Sequence, residues 1–289
     1  MQLKNQDQIM TLTAEIIVGQ NPQLVSLPDI YFKLEDIISS PSASLDDAAE
    51  IIQSDPALAV RLLRIANSAF YSHPAEINTI PRALMLIGTR QLKELVMATV
   101  VIDMFKSNDN PFITMKEFWE HSIACGIASR IVAIYLGKKD YEQYYLAGLF
   151  HAIGRLILFS EFPEIAEQTT ALSLEEKIPL YEAENQIMGF NHAHIGHALL
   201  KSWNLPVAQQ QAVHFQHGPQ MDIPMAILPE VIHVADWLVN GLSIGSSGEQ
   251  YVPPLIDEFW QRLEIPESAL GELIDQTDRQ YQDVSGLFL

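Results

Sequence analysis

The sequence predicts an all-helical protein. Apolar residues return every three or four positions along most of the chain, helix-opening residues stand in front of those stripes, and no stretch reads as a paired strand. With 289 residues, 48% of them hydrophobic, the chain can bury one large core or two moderate ones.

The elements follow in chain order. Ser44 precedes Ala48, Ile51 and Ile52, and Asp47 stands where an acidic side chain can reach back to the cap, an Asp form of the capping box. Asp55-Pro56 then opens a helix carrying Leu58, Leu62 and Ile65, since Asp accepts from free N–H groups and proline is tolerated in the first turn. Asn67 and Ser68 follow it as a C-terminal cap or turn. Leu92, Leu95, Val96 and Val100 form another stripe, with a minor strand alternative in the β-branched run Thr99 to Ile102. The polar, turn-forming run Ser107 to Pro111 breaks the chain and divides it: 1–110 is an N-terminal helical subdomain and 111–241 a helical core. Beyond the break the periodicity predicts helices at Met115 to Tyr135, Tyr141 to Phe159, Leu180 to Asn185, Asn191 to Trp203, Val207 to His214 and Ile227 to Asn240. Gly241 to Pro254 reads as a surface loop, and Pro266-Glu267 opens a final helix; 242–289 is expected to pack on the core or to mediate a homodimer.

Composition narrows the function classes. The net charge is −19, from 36 acidic and 17 basic residues, so the average surface repels nucleic acid and anionic membranes alike. Asp36, Asp46, Asp47, Glu50 and the pair Glu175-Glu176 read as solvated acidic faces. The single cysteine, Cys125, cannot form an internal disulfide, and Met1 to Asp7 lacks the order of a secretory signal, so a cytoplasmic location is expected. The most apolar stretch, Tyr144 to Phe159, is interrupted by His151 and Arg155 and falls short of the roughly 20 apolar residues of a membrane span.

The chemistry-bearing residues are His121, His151, His194, His217 and Asp236, each on or at the end of a different predicted helix. Helical bundles build metal sites from inward-pointing side chains on facing helices, so ligands scattered in sequence can converge. Cys125, one turn after His121 on a helix rich in Ile and Ala, reads as a small buried hydrophobe.

In the first half, Ile51-Ile52-Gln53-Ser54-Asp55-Pro56-Ala57-Leu58, Leu63-Arg64-Ile65-Ala66-Asn67-Ser68 and Ala83 to Leu95 resemble the HDOD branch of the HD superfamily of metal-dependent phosphohydrolases. Glu120-His121-Ser122, Gly148 to Leu156 around His151, Glu184 with His192-Ala193-His194-Ile195-Gly196, Trp203 to His217, and Val234-Ala235-Asp236 continue the likeness. The resemblance implies a multi-helix HD-type bundle with an N-terminal helical subdomain, a role in bacterial signalling, and His121, His151, His194, His217 and Asp236 as the remnant metal set. Within it His194 is the matched ligand, while His192 points elsewhere.

Two positions depart from the active pattern. The aspartate that follows the histidine in an active HD site is Ala152, and the first of the later histidine pair is Gln216. Alanine offers no donor atom to bridge two cations, and an amide oxygen is a weak neutral substitute for imidazole, so a two-metal hydrolytic centre is not expected. One divalent metal (Fe, Zn, Mn or Mg) remains open, although the leading expectation is none. Arg155, one turn after His151, is placed either to meet a phosphate or to pair with a Glu.

The expected function is therefore a noncatalytic HDOD-type signalling or regulatory module that binds a protein partner or a small, phosphorylated ligand. The alternatives are a metal-dependent phosphohydrolase acting on a nucleotide or cyclic dinucleotide with a rearranged site, and a sensor in which one metal or nucleotide biases helix packing. No receiver, cyclase or helix-turn-helix segment is recognisable beside the HDOD-like region, so input and output are expected through separate partners.

Overall fold

A computed structural model describes residues 12–20, 26–40, 42–68, 70–71, 76–105, 112–218 and 227–288, and every regular element among them is a helix. In chain order these are α1 (Ala14–Gly19), α2 (Asp29–Ser39), α3 (Leu45–Gln53), α4 (Pro56–Ala66), α5 (Ile80–Ile87) and α6 (Thr89–Phe105). Then follow α7 (Met115–Tyr135), α8 (Tyr141–Phe150), α9 (Ile153–Glu161), α10 (Pro163–Glu176), α11 (Leu180–Met188) and α12 (His192–Ser202). The last are α13 (Val207–His214), α14 (Leu228–Leu242), α15 (Asp257–Leu263), a 3-10 turn at Glu267–Ala269, and α16 (Leu270–Phe288).

The chain forms two compact units, one of residues 27–107 with 275–289 and the other of 1–26 with 108–274. The division lies at 107/108, and the whole of the predicted break, 107–111, lies outside the described residues. Two segments lie elsewhere than the sequence suggested. Residues 1–26 group with the histidine-bearing unit, where Ile17 and Val18 of α1 are buried and the helix packs on α12. Residues 275–289, expected with the core, group with 27–107. Their buried Tyr281, Val284 and Phe288 follow one helix face, a pattern that says a face is covered but not by what.

In the smaller unit the caps are as the sequence requires. Ser44 N donates to Asp47 Oδ2 at 2.7 Å while Asp47 N donates to Ser44 Oγ at 3.2 Å, and Asp55 Oδ1 accepts from Ala57 N and Leu58 N at 3.0 and 3.1 Å. Asn67 does more than end α4. Its amide donates to the carbonyls of Leu63 and Ile77 and its oxygen accepts from Ile77 N at 2.7 Å, so one side chain ties the helix to the segment ten residues on. The Thr99 to Ile102 run is helical, and its β-branched side chains are tolerated because Thr99 Oγ1 donates to Leu95 O at 2.8 Å and Val101 and Ile102 are fully buried.

In the larger unit α7 is the central rod, with almost every residue from Phe118 to Ala133 buried and α8 and α14 packed along it. The predicted Tyr141 to Phe159 helix is two helices, broken at His151-Ala152, where Ala152 takes φ −100° and ψ 6°. The helix α10 was not predicted, and the 241–254 segment is no free surface loop: Ser247 is buried and Ser246 N donates to Glu117 O of α7 at 3.0 Å.

Candidate metal centre

The site begins with α7, which presents His121 and Cys125 one turn apart and therefore on one face. The close approach of α8 to that face needs Gly148: a Cβ there would lie 2.4 Å from Ser129 Oγ and 2.6 Å from the Cys125 carbonyl oxygen. Three residues later, where α8 ends, His151 turns inward, and α14 contributes Asp236. His121, Cys125, His151 and Asp236 are all buried, and one donor atom from each lies within 4.8 Å of every other.

Around Asp236 Oδ1 stand His121 Nε2 at 2.9 Å, His151 Nε2 at 3.3 Å and Cys125 Sγ at 3.8 Å, with Cys125 Sγ 3.5 Å from His121 Nε2. His151 Nδ1 donates to the Gly148 carbonyl at 2.7 Å, which aims Nε2 at the carboxylate. Asn240 Nδ2 donates to Asp236 Oδ1 at 2.9 Å and holds that carboxylate in place. Burial pushes the Asp236 carboxyl up, but the imidazoles of His121 and His151 outweigh it and hold the group well below the ordinary carboxylate range. Burial drives the Cys125 thiol well above its usual value and makes His121 harder to protonate.

A second polar cluster is built on Arg155, which is buried. Its Nε donates to Glu184 Oε1 at 3.2 Å, Nη1 to Ser247 O and Oγ at 3.3 and 3.1 Å, and Nη2 to Glu249 Oε2 at 3.4 Å. Of the two roles open to Arg155, the structure shows the pairing with Glu: the guanidinium is shared among protein oxygens. Burial pushes the Glu249 carboxyl up to about 6. Glu184 also accepts from His192, through the backbone N–H at 2.8 Å and Nδ1 at 2.7 Å, and His192 Nε2 lies 3.0 Å from His217 Nε2.

The remnant set is thus only partly assembled. His121, His151 and Asp236 converge, whereas His217 stacks on Tyr181, with ring centroids 4.3 Å apart, and stands outside the group of donors. His194 also stands outside that group: its half-buried ring lies against Asn191, Phe190 and His214. Residues two apart on a helix project roughly 200° apart, so only one of His192 and His194 can face inward, and α12 turns His192 in. Gln216 is structural, its amide donating to the His151 carbonyl at 2.8 Å where α8 stops. Sequence reasoning set Cys125 and His192 aside and overlooked His233, which lies one turn before Asp236 and binds Gln216 O through Nδ1 and Ile256 N through Nε2. The i, i+4 spacing of His121 and Cys125 was the signal available for the cysteine.

A helical unit that gathers two histidines and an aspartate from three helices around one buried point is of the HD class. The sequence pattern of the HDOD domain matches residues 24–219, and the chain belongs to the HDOD family. A Treponema pallidum (strain Nichols) protein of uncharacterised function is 27% identical over 219 residues, 73% of this chain and 41% of that protein, so the chain spans under half the length of this relative. Among solved structures, an HDOD domain protein of unknown function from Geobacter sulfurreducens superposes with TM-score 0.70 at 23% identity, covering 99% of this chain and 94% of its own. A Shewanella amazonensis SB2B protein provisionally named a phosphohydrolase gives 0.74 at 22%, covering 97% and 100%. A Marinobacter aquaeolei VT8 protein provisionally named for signal transduction gives 0.69 at 21%, covering 91% and 59%. These likenesses show the shared fold.

The donor set fits one metal and not two. Two nitrogens, one carboxylate and one sulfur suit a single borderline cation. Ala152 supplies no bridging oxygen for a second ion, and Glu184 is already held by Arg155 and His192.

Proposed function

We propose that the chain is a noncatalytic HDOD signalling module, a helical scaffold that passes on a cue by binding a protein partner. The observation that carries this reading is Ala152, buried at the position where an active HD site places its bridging aspartate. The Arg155 network supports it, because this cation is committed to Glu184, Glu249 and Ser247. His121, His151 and Asp236 would hold one divalent ion; bound there, it supplies a fixed positive charge that ties α7, α8 and α14 together. This chain's own residues do the rest: Gly148 and Asn240 orient His151 and Asp236, and Gln216 secures the end of α8.

The test is turnover. Purified protein supplied with manganese, iron or magnesium is expected to leave nucleotides and cyclic dinucleotides intact, while a pull-down recovers one stable protein partner. Metal-dependent hydrolysis that disappears in His151→Ala would install the phosphohydrolase reading instead.

A further inference from the structure

We propose that Cys125 is a metal ligand, and that with His121, His151 and Asp236 it closes a four-coordinate centre of two nitrogens, one oxygen and one sulfur for a single cation of the zinc class. The proposal goes beyond the signalling role and stands independently of it.

Three observations carry it. The first is spacing: tetrahedral bonds of about 2.0–2.3 Å place ligand atoms roughly 3.3–3.8 Å apart. The separations here are 2.9 Å for His121 Nε2 to Asp236 Oδ1, 3.3 Å for His151 Nε2 to Asp236 Oδ1, 3.5 Å for Cys125 Sγ to His121 Nε2 and 3.8 Å for Cys125 Sγ to Asp236 Oδ1. The two remaining pairs, from His151 Nε2 to His121 and to Cys125, lie within 4.8 Å, so an ion at the centre draws the four donors together by about 1 Å or less at the widest pair.

The second is the orientation of His151. Its Nδ1 is 2.7 Å from the Gly148 carbonyl, which only accepts, so the ring is anchored there as a donor. That anchor leaves Nε2 facing Asp236 Oδ1 across 3.3 Å. A ring anchored through its far nitrogen to a backbone carbonyl, with the near one turned toward other donors, is how metal-binding histidines are held.

The third is charge. With Ala152 in the bridging position, a divalent ion held by His121, His151 and Asp236 alone would leave one uncompensated positive charge in a buried site. A Cys125 thiolate brings the total to zero. On uptake the thiol proton leaves to solvent and the His121 ring proton is carried on Nδ1 instead of Nε2, with no electron transfer. Four protein ligands complete a tetrahedral shell and leave no open position for a reacting water, the pattern of structural rather than catalytic zinc sites.

The full chain, stripped with a chelator and titrated with cobalt(II), tests this directly. The expected result is one cobalt per chain, the intense visible bands of tetrahedral cobalt and a thiolate-to-cobalt charge-transfer band in the near ultraviolet. Cys125→Ala should abolish that band and weaken affinity by more than about 100-fold, beyond the 10–100-fold that loss of an outer partner costs. Failure to take up cobalt, uptake with a pale octahedral spectrum, or unchanged affinity in Cys125→Ala overturns the proposal. The wild-type spectrum decides the matter even if the variant folds poorly. A phosphohydrolase assay on the same cobalt-loaded protein reads the noncatalytic role separately: turnover would end that role while leaving the ligand assignment intact.

Discussion

Arg155 shows how far one side chain's role depends on its surroundings. Its guanidinium pairs with both Glu184 and Glu249 where water does not reach, so removing it strands buried carboxyl groups rather than deleting a surface contact. Arg155→Met should cost about 3–5 kcal/mol in urea denaturation, the usual penalty for breaking a buried pair. A loss below about 1 kcal/mol would mean the clamp is not structural and would revive the phosphate role. The histidines make a second, pH-dependent prediction. Burial depresses both His192 and His214 to about 4, whereas unfolded imidazoles titrate near 6.5. Between those values the unfolded chain binds protons that the folded one refuses, so stability falls as pH drops from about 6.5 to about 4. Glu249, raised to about 6, and Glu142 and Glu230, also raised by burial, work the other way over part of that window, but His121, His194, His217 and His233 are depressed as well, so six histidines stand against three carboxyls. Melting temperature should therefore fall steadily on acidification, and His214→Asn should flatten the slope; a flat wild-type profile between pH 7 and 5 would refute this.

At the scale of elements, helix packing turns on places without side chains. A Cβ on Gly154 would sit 2.0 Å from the His192 carbonyl oxygen and 2.5 Å from Gly196 N, so α9 and α12 cross at backbone contact. Gly154→Ala should destabilise by at least about 1–3 kcal/mol, since backbone cannot yield as a side chain can. Gly271→Ala, on open surface in α16, should instead gain up to about 1 kcal/mol, and thermal melts of the two variants check the contrast. Elements with a strong apolar stripe and an explicit cap were legible in the sequence: α3, α4 and the long α7 stand where their residues put them. The helix α10 was not, because its buried face is Ile165, Ala166, Thr169 and Ser173, small and half polar, and such a face gives little periodic signal. Nor was the break at His151-Ala152, where both flanks are apolar and the chain turns to serve the site. The same limit governs the site. Family-matched positions identified His121, His151 and Asp236, but whether His192 or His194 enters depends on the rotation of α12 about its axis. That Cys125 meets Asp236 depends on α14, 111 positions away.

For the whole molecule the decisive quantity is charge. Thirty-six acidic residues against 17 basic ones leave −19, an excess that local pairs such as Arg61 with Asp103 and Lys93 with Glu35 do not change. A folded chain with that excess repels itself, and its field extends about 10 Å at 0.1 M salt. Added salt should therefore stabilise the fold: melting temperature is expected to rise by several degrees between 10 and 300 mM sodium chloride, because screening relieves long-range repulsion more than it weakens exposed pairs worth well under about 1 kcal/mol each. The same field bears on the proposed partner. A basic protein surface would be drawn in and an acidic one turned away, so association with a partner recovered by pull-down should weaken as ionic strength rises, chiefly through a slower on-rate. Stopped-flow or surface-based kinetics at 50 and 300 mM salt measure this, and an on-rate indifferent to salt would show that the partner reads shape and apolar surface rather than charge.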